Sequence, residues 1–396
     1  SAIMVKIFTA QLNFTVGDLS GNTQKILDAL IRARSQGADL VVFSELALCG
    51  YPPEDLLLQE GFVEAIEKEL QKIIEASQGL FVVLGLVRKN LSKEGKPFLN
   101  SAAMIDNGAL IGYHDKWLLP TYDVFDGSRY FEPGSSCLTW TCKGKNFATL
   151  ICEDIWHHAK ELTLTSYVKD PVKLLSHLDI DFLINISASP YHVEKIDLRL
   201  KVCKKAALTL NCPLVLACQV GGNDQLVFDG YSLYMDETGR LQSLAKGFEE
   251  DDLVFEMGSL SPSEPLKSPP HVDLQKALVL GVRDYFHKSG FQSACLGLSG
   301  GIDSALVACL AVEALGKENL KLVFMPSRFT SEQSRIDAQI LAKNLGIALE
   351  EISIEGPFEA YLALLSPHFA GKQPDVTEEN LQARIRGMIL MALSNK

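Results

Sequence analysis

Four stretches of this chain hold residues whose types and spacing could carry chemistry. The hexapeptide Ser299-Gly300-Gly301-Ile302-Asp303-Ser304 follows an apolar run, Ala294 to Leu298, and precedes a helical pattern at Ala305, Leu306, Ala308, Leu310 and Ala311. A strand, a glycine turn and a helix start make a phosphate cradle. Adjacent glycines let the backbone approach an anion, and the free N–H groups and positive dipole end of the new helix face it. Ser299 and Ser304 add hydroxyl donors, and Asp303 can hold a divalent cation. The other three stretches, residues 41–45, 113–120 and 150–156, each end an apolar strand on a reactive residue: Glu45, Lys116 and Cys152. Taken singly each is weak. A glutamate after a strand is usually solvated, a lysine usually exposed, and a cysteine after Ala-Thr-Leu-Ile is more often an inert core thiol.

The elements that must position these residues are legible as patterns. From Val5 to Phe255 short β-branched runs alternate with amphipathic segments. Strands are predicted at Leu40–Phe43, Leu80–Leu86, Ser101–Ile105, Phe147–Ile151, Phe182–Ile186, Leu214–Ala217 and Ser232–Met235. Hairpin turns are expected at Asn107-Gly108 and Thr238-Gly239. Helices are expected over Asn22–Arg34, with Asn22 as cap, over Phe62–Ala76 and over Glu194–Leu210. This mixture suggests a two-sheet core with helices outside. The stretch from Gly258 to Pro270 holds four of the sixteen prolines and reads as an exposed linker. Beyond it, helix Leu274–Lys288, strand Ala294–Leu298, helix Ser304–Leu315, strand Leu320–Met325, helix Ser331–Leu345 and strand Leu349–Ile354 form repeated βαβ units. The expected organisation is a first domain over residues 1–257, a linker over 258–271 and a second domain over 272–396.

Composition narrows the class. A chain of 396 residues with 47% hydrophobic content supports two to three packed domains. Its net charge of −12 argues against a nucleic-acid or anionic-membrane surface. Nine cysteines without Cys-x-x-Cys spacing read as buried thiols of a reducing compartment, so cytoplasm is expected. No apolar stretch approaches a membrane span, and the eight histidines show no paired zinc spacing.

The glycine loop lacks the Walker pattern and the Rossmann fingerprint. It resembles the pyrophosphate loop of ATP-pyrophosphatase synthetases, which split ATP to AMP and pyrophosphate while adenylating an oxygen. That resemblance implies ATP contacts from Gly297 and Leu298 through Ser299, Gly300, Gly301, Ile302, Asp303 and Ser304. Glu45, Lys116 and Cys152, in this order, resemble the Glu-Lys-Cys set of the nitrilase superfamily, with Cys152-Glu153-Asp154-Ile155-Trp156 the most specific piece. Amide cleavage needs a soft nucleophile, a proton shuttle and a cation where the carbonyl oxygen turns negative. The resemblance casts Cys152 as nucleophile, Glu45 as proton shuttle and Lys116 as oxyanion stabiliser, with a thioester intermediate. The strand-turn placement should expose the sulfur and aim N–H groups at it, lowering its pKa. Relatives often carry a second glutamate in a segment like Phe125-Asp126-Gly127-Ser128-Arg129-Tyr130-Phe131, where this chain has Gly127; Asp126 and Glu132 are the candidates to replace it.

The two modules in this order resemble glutamine-dependent NAD synthetases. The fold implied is α/β: a nitrilase-like αββα sandwich followed by a partial Rossmann-like ATP-pyrophosphatase domain. The resemblance implies glutamine contacts from Tyr122, Ser189 and Lys195, with Arg199 in the same stretch and Glu194 where glycine is common. Gln219 to Gly222 and Val227 to Gly230 match as site-shaping loops. Met325-Pro326-Ser327 and Ser331 to Ser334 match the region of the ATP base and ribose, and Asn380 matches a deamido-NAD contact. Without the family, the segment from Thr377 to Arg386 reads as an ordinary helix capped by Thr377. The implied reaction joins ATP, deamido-NAD and glutamine to give NAD, AMP, pyrophosphate and glutamate. Mg2+ would bridge the phosphates through Asp303, and a homo-oligomer is implied. The family normally continues past Ser394-Asn395-Lys396, so the synthetase half is expected to be cut near its middle. Three rival readings remain at this point: a stand-alone carbon-nitrogen hydrolase, another ATP-pyrophosphatase amidotransferase, and a silent scaffold. ATP-dependent AMP release separates the first; the absent N-terminal thiol weakens the second; intact Glu45, Lys116 and Cys152 speak against the third.

Overall fold

The computed structural model describes residues 4–119, 127–134, 139–156, 170–259, 262 and 268–396. Tyr122, Asp126, the His157-His158 pair and half of the linker lie outside the described residues. The chain divides into two compact units, residues 1–277 and 278–396. The division falls inside a helix, Pro270–Lys288, whose first turn is held to the first unit by Tyr231, donating from its hydroxyl to both Asp273 oxygens at 3.0 and 3.2 Å.

In the first unit, period-two alternation decides which side chains face where. One six-stranded sheet comprises β1 (Lys6–Gln11), β2 (Leu40–Val42), β3 (Phe81–Lys89), β4 (Phe98–Asp106), β5 (Ala109–Asp115) and β14 (Asp251–Glu256), in the order β14-β1-β2-β3-β4-β5. Ile7, Val42, Val83 and Met104 turn into a core shared with the second sheet, while Phe8, Val41, Val82 and Ile105 meet α1 (Leu19–Ser35) and α2 (Phe62–Glu75). Strands covered on both faces need unbroken apolar runs, which is what residues 40–43 supply. The second sheet comprises β6 (Thr139–Cys142), β7 (Lys145–Ile151), β8 (Phe182–Ser187), β9 (Leu214–Cys218), β12 (Leu233–Met235) and β13 (Leu241–Leu244), in the order β13-β12-β9-β8-β7-β6. Its outer face is covered by α6 (Lys195–Leu210), which buries Val202, Cys203, Ala206 and Ala207. Trp140 is stacked between Phe81 of one sheet and Phe147 of the other, with ring centroids 4.1 and 4.5 Å apart. The layers are therefore helix, sheet, sheet, helix, as the sequence pattern predicts. A hairpin of β10 (Val220–Asn223) and β11 (Leu226–Asp229) stands apart from both sheets.

The second unit has three parallel strands, β15 (Ala294–Gly297), β16 (Leu320–Phe324) and β17 (Leu349–Glu351). The first helix of this region, the one divided between the units, is α7 (Pro270–Lys288). On one face, Leu322 and Phe324 pack with Ala308 of α8 (Ile302–Leu315) and Ala338 of α9 (Glu332–Leu345). On the other, Val323 packs with Phe358 of α10 (Glu355–Phe369) and Ile385 of α11 (Val376–Asn395).

Two expected caps are displaced. Helix α1 begins at Leu19 with Asp18 as cap, whereas Asn22 is buried inside it, donating to the Thr15 and Leu48 carbonyls and accepting from Thr15 N–H. An asparagine that can tie two neighbouring loops is worth more there than as a cap. Helix α11 is capped by Asp375 in a capping box with Glu378, two residues ahead of Thr377, because the box satisfies two amides reciprocally.

Candidate functional site

The site of the first unit lies where strand ends of both sheets meet. Strands β2 and β3 are parallel and β4–β5 returns antiparallel, so the ends of β2 and β5 fall on one edge, with Asn100 near the start of β4 beside them. Glu45 follows β2 by three residues and Lys116 directly follows β5. The Lys116 ammonium donates to both Glu45 oxygens at 3.0 and 3.1 Å, in a pair that is almost wholly buried. Burial raises the Glu45 pKa above the ordinary carboxylate range; the Lys116 charge and hydrogen bond pull it down, Asp154 pushes it further up, and the Asn100 side chain offsets part of that. Close backbone approach makes the position possible: a methyl on Gly85 of β3 would collide with the Ser44 carbonyl and the Leu46 amide.

Cys152 directly follows β7 and precedes a one-turn helix, Glu153–Trp156. The 127–130 turn (α3), this turn (α4) and Pro171–Leu175 (α5) are short α-helices of the unit. Cys152 has φ of +38°, a left-handed conformation that costs a non-glycine residue on the order of 1–3 kcal/mol. Such turns lift a nucleophile off the end of a strand. The Ser187 hydroxyl at the end of β8 donates to its sulfur at 3.4 Å, and the Cys152 amide bonds the Ile186 carbonyl at 2.9 Å. The sequence pattern predicts an exposed sulfur; Cys152 is instead 5% exposed, within the buried core that the two sheets share and to which Ile155 and Trp156 also belong.

Asp154 links the two halves. One carboxylate oxygen accepts from the amides of Trp117 and Leu118 at 2.9 and 3.1 Å, directly after Lys116. The other accepts from the Ile151 amide and from His114 Nε2, both at 3.0 Å. Lys195, at the start of α6, stacks its ammonium 4.4 Å from the centre of the Trp156 ring, and Ser189 is half-buried two residues beyond Ser187. Glu194 adopts φ of +65°, the conformation that favours glycine. Arg199 is engaged elsewhere: it is buried and donates to both Asp229 oxygens and the Gly230 carbonyl at 2.8–3.2 Å, fixing the β10–β11 hairpin to α6. Glu132 accepts from the Lys96 amide on the β3–β4 loop. Sequence reasoning misses Asp154, His114, Ser187 and Asn100. Asp154 and His114 lie inside the stretches singled out for Cys152 and Lys116, and an acid two residues from a strand-end cysteine is the signal that could find them.

In the second unit the loop from Ser299 to Ser304 joins β15 to α8. The Ser304 hydroxyl accepts from the Ser299 amide at 3.1 Å and meets the Ser299 hydroxyl at 3.0 Å, which in turn accepts from the Gly301 amide at 3.2 Å. Gly300 has φ of +84° and lies against the backbone of Ser334 in α9. Gly301 starts α8 without a side-chain cap, so the first-turn amides face outward. Gly297 ends β15 and Leu298 is buried, whereas Ser299, Gly301, Ile302 and Asp303 are exposed. The turn after β16 is tied to α11, with Ser327 donating to Gln382 at 2.9 Å and Arg386 to the Met325 carbonyl at 3.0 Å. Asn380 lies exposed on α11. Among the described residues no group of three His, Cys, Asp or Glu side chains could enclose a metal ion, and no helix is long and apolar enough to cross a membrane.

Known proteins resemble this chain in sequence and fold. The family model described as Carbon-nitrogen hydrolase matches residues 6–257, and that described as NAD synthase matches residues 274–396. A glutamine-dependent NAD(+) synthetase of Synechocystis sp. is 43% identical over 404 residues, covering 99% of this chain and 72% of its own length. The solved glutamine-dependent NAD+ synthetase of Acinetobacter baumannii, in complex with adenosine diphosphate, superposes with a TM-score of 0.92 at 35% identity, covering 99% of this chain and 73% of that one. An amidase from Nesterenkonia sp. shares the fold of the first unit, with a TM-score of 0.54 at 21% identity, covering 64% of this chain and 90% of its own.

Proposed function

The chain belongs to the glutamine-dependent NAD(+) synthetases, and from that membership and its buried site we infer that Cys152, Glu45 and Lys116 carry its glutamine hydrolysis. The observation that carries the assignment is the unbroken path from Glu45 through Lys116 and the Trp117 and Leu118 amides to Asp154, two residues from Cys152. Glu45 takes the thiol proton as Cys152 attacks the glutamine carboxamide, and Lys116 stabilises the oxygen as it turns negative. Glu45 gives its proton to the departing ammonia, leaving a thioester on Cys152. It then takes a proton from water as the water oxygen adds to the thioester carbon; the C–S bond breaks, glutamate leaves, and Glu45 returns the proton to the Cys152 sulfur. A raised Glu45 pKa suits a group that must both accept and return a proton. Lys195, which stacks on Trp156, and Ser189, two residues beyond Ser187, are proposed to hold the glutamine together with Tyr122.

The second unit uses ATP to adenylate the carboxylate of deamido-NAD, which ammonia then attacks to give NAD, AMP and pyrophosphate. Residues 297–304 are proposed to cradle the phosphates, and Asn380 on α11 to contact deamido-NAD. One exposed carboxylate beside two hydroxyls suits Mg2+, which binds through few protein oxygens plus substrate phosphates. Asp303 would hold it, and the ion would neutralise phosphate charge. A cytoplasmic homo-oligomer completes the proposal. The test is glutamate release from glutamine by the whole chain: Cys152→Ala should lower it by about four orders of magnitude or more, and a variant retaining about a tenth of the rate rejects the assignment.

A further inference from the structure

The Asp154 carboxylate is wholly buried and saturated: it accepts four hydrogen bonds, three from backbone amides and one from an imidazole. These donors come from three places that must meet for the chemistry. Trp117 and Leu118 extend the segment carrying Lys116, Ile151 ends the strand carrying Cys152, and His114 projects from β5 in register opposite Ala102. We propose that Asp154 is the positioning residue of the amide-cleaving site, holding the Lys116 backbone against the Cys152 turn, and that His114 orients its carboxylate. Lys116 and Cys152 come from different sheets, and neither sheet's own ladder fixes the distance between them.

His114 supports this role. It is wholly buried, its Nε2–H donates to Asp154, and its Nδ1 has no partner. An apolar side chain would fill that space without stranding an acceptor, so the imidazole is held for the donor it presents. Asp154 also places a second negative charge against Glu45. The charged groups set against Glu45 are Lys116 after β5 and Asp154 in α4, with Asn100 of β4 bonding it. Asp154 thereby helps Glu45 hold the thiol proton until ammonia departs.

The proposal rests on Cys152 being the nucleophile, which Cys152→Ala tests separately. In the whole chain, glutamine hydrolysis is measured for Asp154→Ala, Asp154→Asn, His114→Phe and His114→Gln. A displacement of about 1 Å between reacting groups costs about 100-fold, so Asp154→Ala should lower kcat by about that factor. KM for glutamine should stay within about threefold, because the lost contacts act on the reacting groups and not on binding. Asp154→Asn keeps one oxygen for Trp117 and Leu118 but loses the charge. It should lose less kcat, and the acid limb of its pH profile should move to lower pH as Glu45 ionises more easily. His114→Phe should lower kcat by about tenfold, and His114→Gln, whose amide N–H can still reach the carboxylate, should recover most of it. Wild-type kcat in Asp154→Ala, a loss confined to KM, an unmoved acid limb in Asp154→Asn, or equal losses in His114→Phe and His114→Gln would each overturn the proposal. The His114 pair decides the matter if Asp154→Ala fails to fold.

Discussion

Cys152 and Ser299–Ser304 occupy the same kind of place, a turn from a strand into a helix, yet they treat polar groups in opposite ways. Around Cys152 the charges are inside and already held: Lys116 by Glu45, Asp154 by three backbone amides and the His114 N–H, and Arg199 by Asp229 on the neighbouring hairpin. Around Ser299 the loop is exposed, its two serine hydroxyls bond within the loop, and the uncapped start of α8 waits for charge from outside. The difference follows from where the reaction's charge comes from. In amide cleavage the protein supplies the ions, so they must be held in place before substrate arrives. In nucleotide chemistry the substrate brings several negative charges, so the protein supplies exposed helix-start amides and hydroxyls in place of buried ions.

The strongest way to break that contrast is to remove one charge from each region. Lys116→Met should lower glutamine hydrolysis by about 100- to 1,000-fold, the cost of losing an oxyanion donor. It should also cost about 3–5 kcal/mol of stability, because Glu45 is left buried without its cation. Asp303→Asn, at an exposed position, should leave stability within about 0.5 kcal/mol. Thermal unfolding of both variants checks the pair, and comparable shifts would mean that the loop is as tightly built as the buried site.

A second comparison uses one substitution at two glycines. Gly85→Ala drives a methyl into the backbone on either side of Glu45, and a displacement of about 1 Å there should lower kcat about 100-fold. Gly300→Ala meets the Ser334 backbone and also forces alanine into φ of +84°, which costs about 1–2 kcal/mol. Its effect should appear in unfolding of the second unit and in nucleotide binding, with glutamine hydrolysis unchanged. Glutaminase and nucleotide-binding assays on each variant measure the separation; loss of both functions from either glycine would show that the two regions are not independent.

What the sequence makes legible tracks this contrast. Layer order, most strands and the glycine loop can be read because they depend on local patterns: unbroken apolar runs at residues 40–43 and 214–217, and two glycines between a strand and a helix. The paired charges cannot be read so fully. Lys116 and Glu45 are 71 positions apart, and nothing in either segment states that their side chains meet. Asn22 resembles a cap because it precedes an apolar helical pattern, but Asp18 takes that role and Asn22 serves a tertiary one. The turn at Cys152 predicts exposure because it lifts the residue, yet the fold buries it in a core assembled from strands of both sheets, which are distant in sequence.

A smaller effect sharpens the account of Glu45. Burial raises its pKa, so glutamine hydrolysis should rise with pH along an acid limb that lies above the ordinary carboxylate range. The same shift works on stability in the other direction. The folded state holds the proton more tightly than the unfolded chain, so the contribution is full below the ordinary glutamate value and is lost as pH rises through the Glu45 pKa. Activity and stability of the first unit should therefore move oppositely across that window. A kcat/KM profile and melting temperatures over the same pH series test this, and an acid limb at the ordinary carboxylate value would mean that Lys116 outweighs burial.

The smallest expected change is at Ser304. Its hydroxyl accepts from the Ser299 amide, meets the Ser299 hydroxyl and lies 3.3 Å from the Gly301 carbonyl, so it ties the two ends of the loop together. These bonds are partly exposed and water can replace them, which limits the cost of Ser304→Ala to about 1 kcal/mol. That corresponds to nucleotide binding about fivefold weaker, with glutamine hydrolysis unaffected because no buried charge loses a partner. Titration calorimetry with ATP reads the difference directly. A loss of about a hundredfold or more would put Ser304 on a par with the buried Lys116, and the distinction between a site that holds its charges and one that waits for them would fail at its most exposed point.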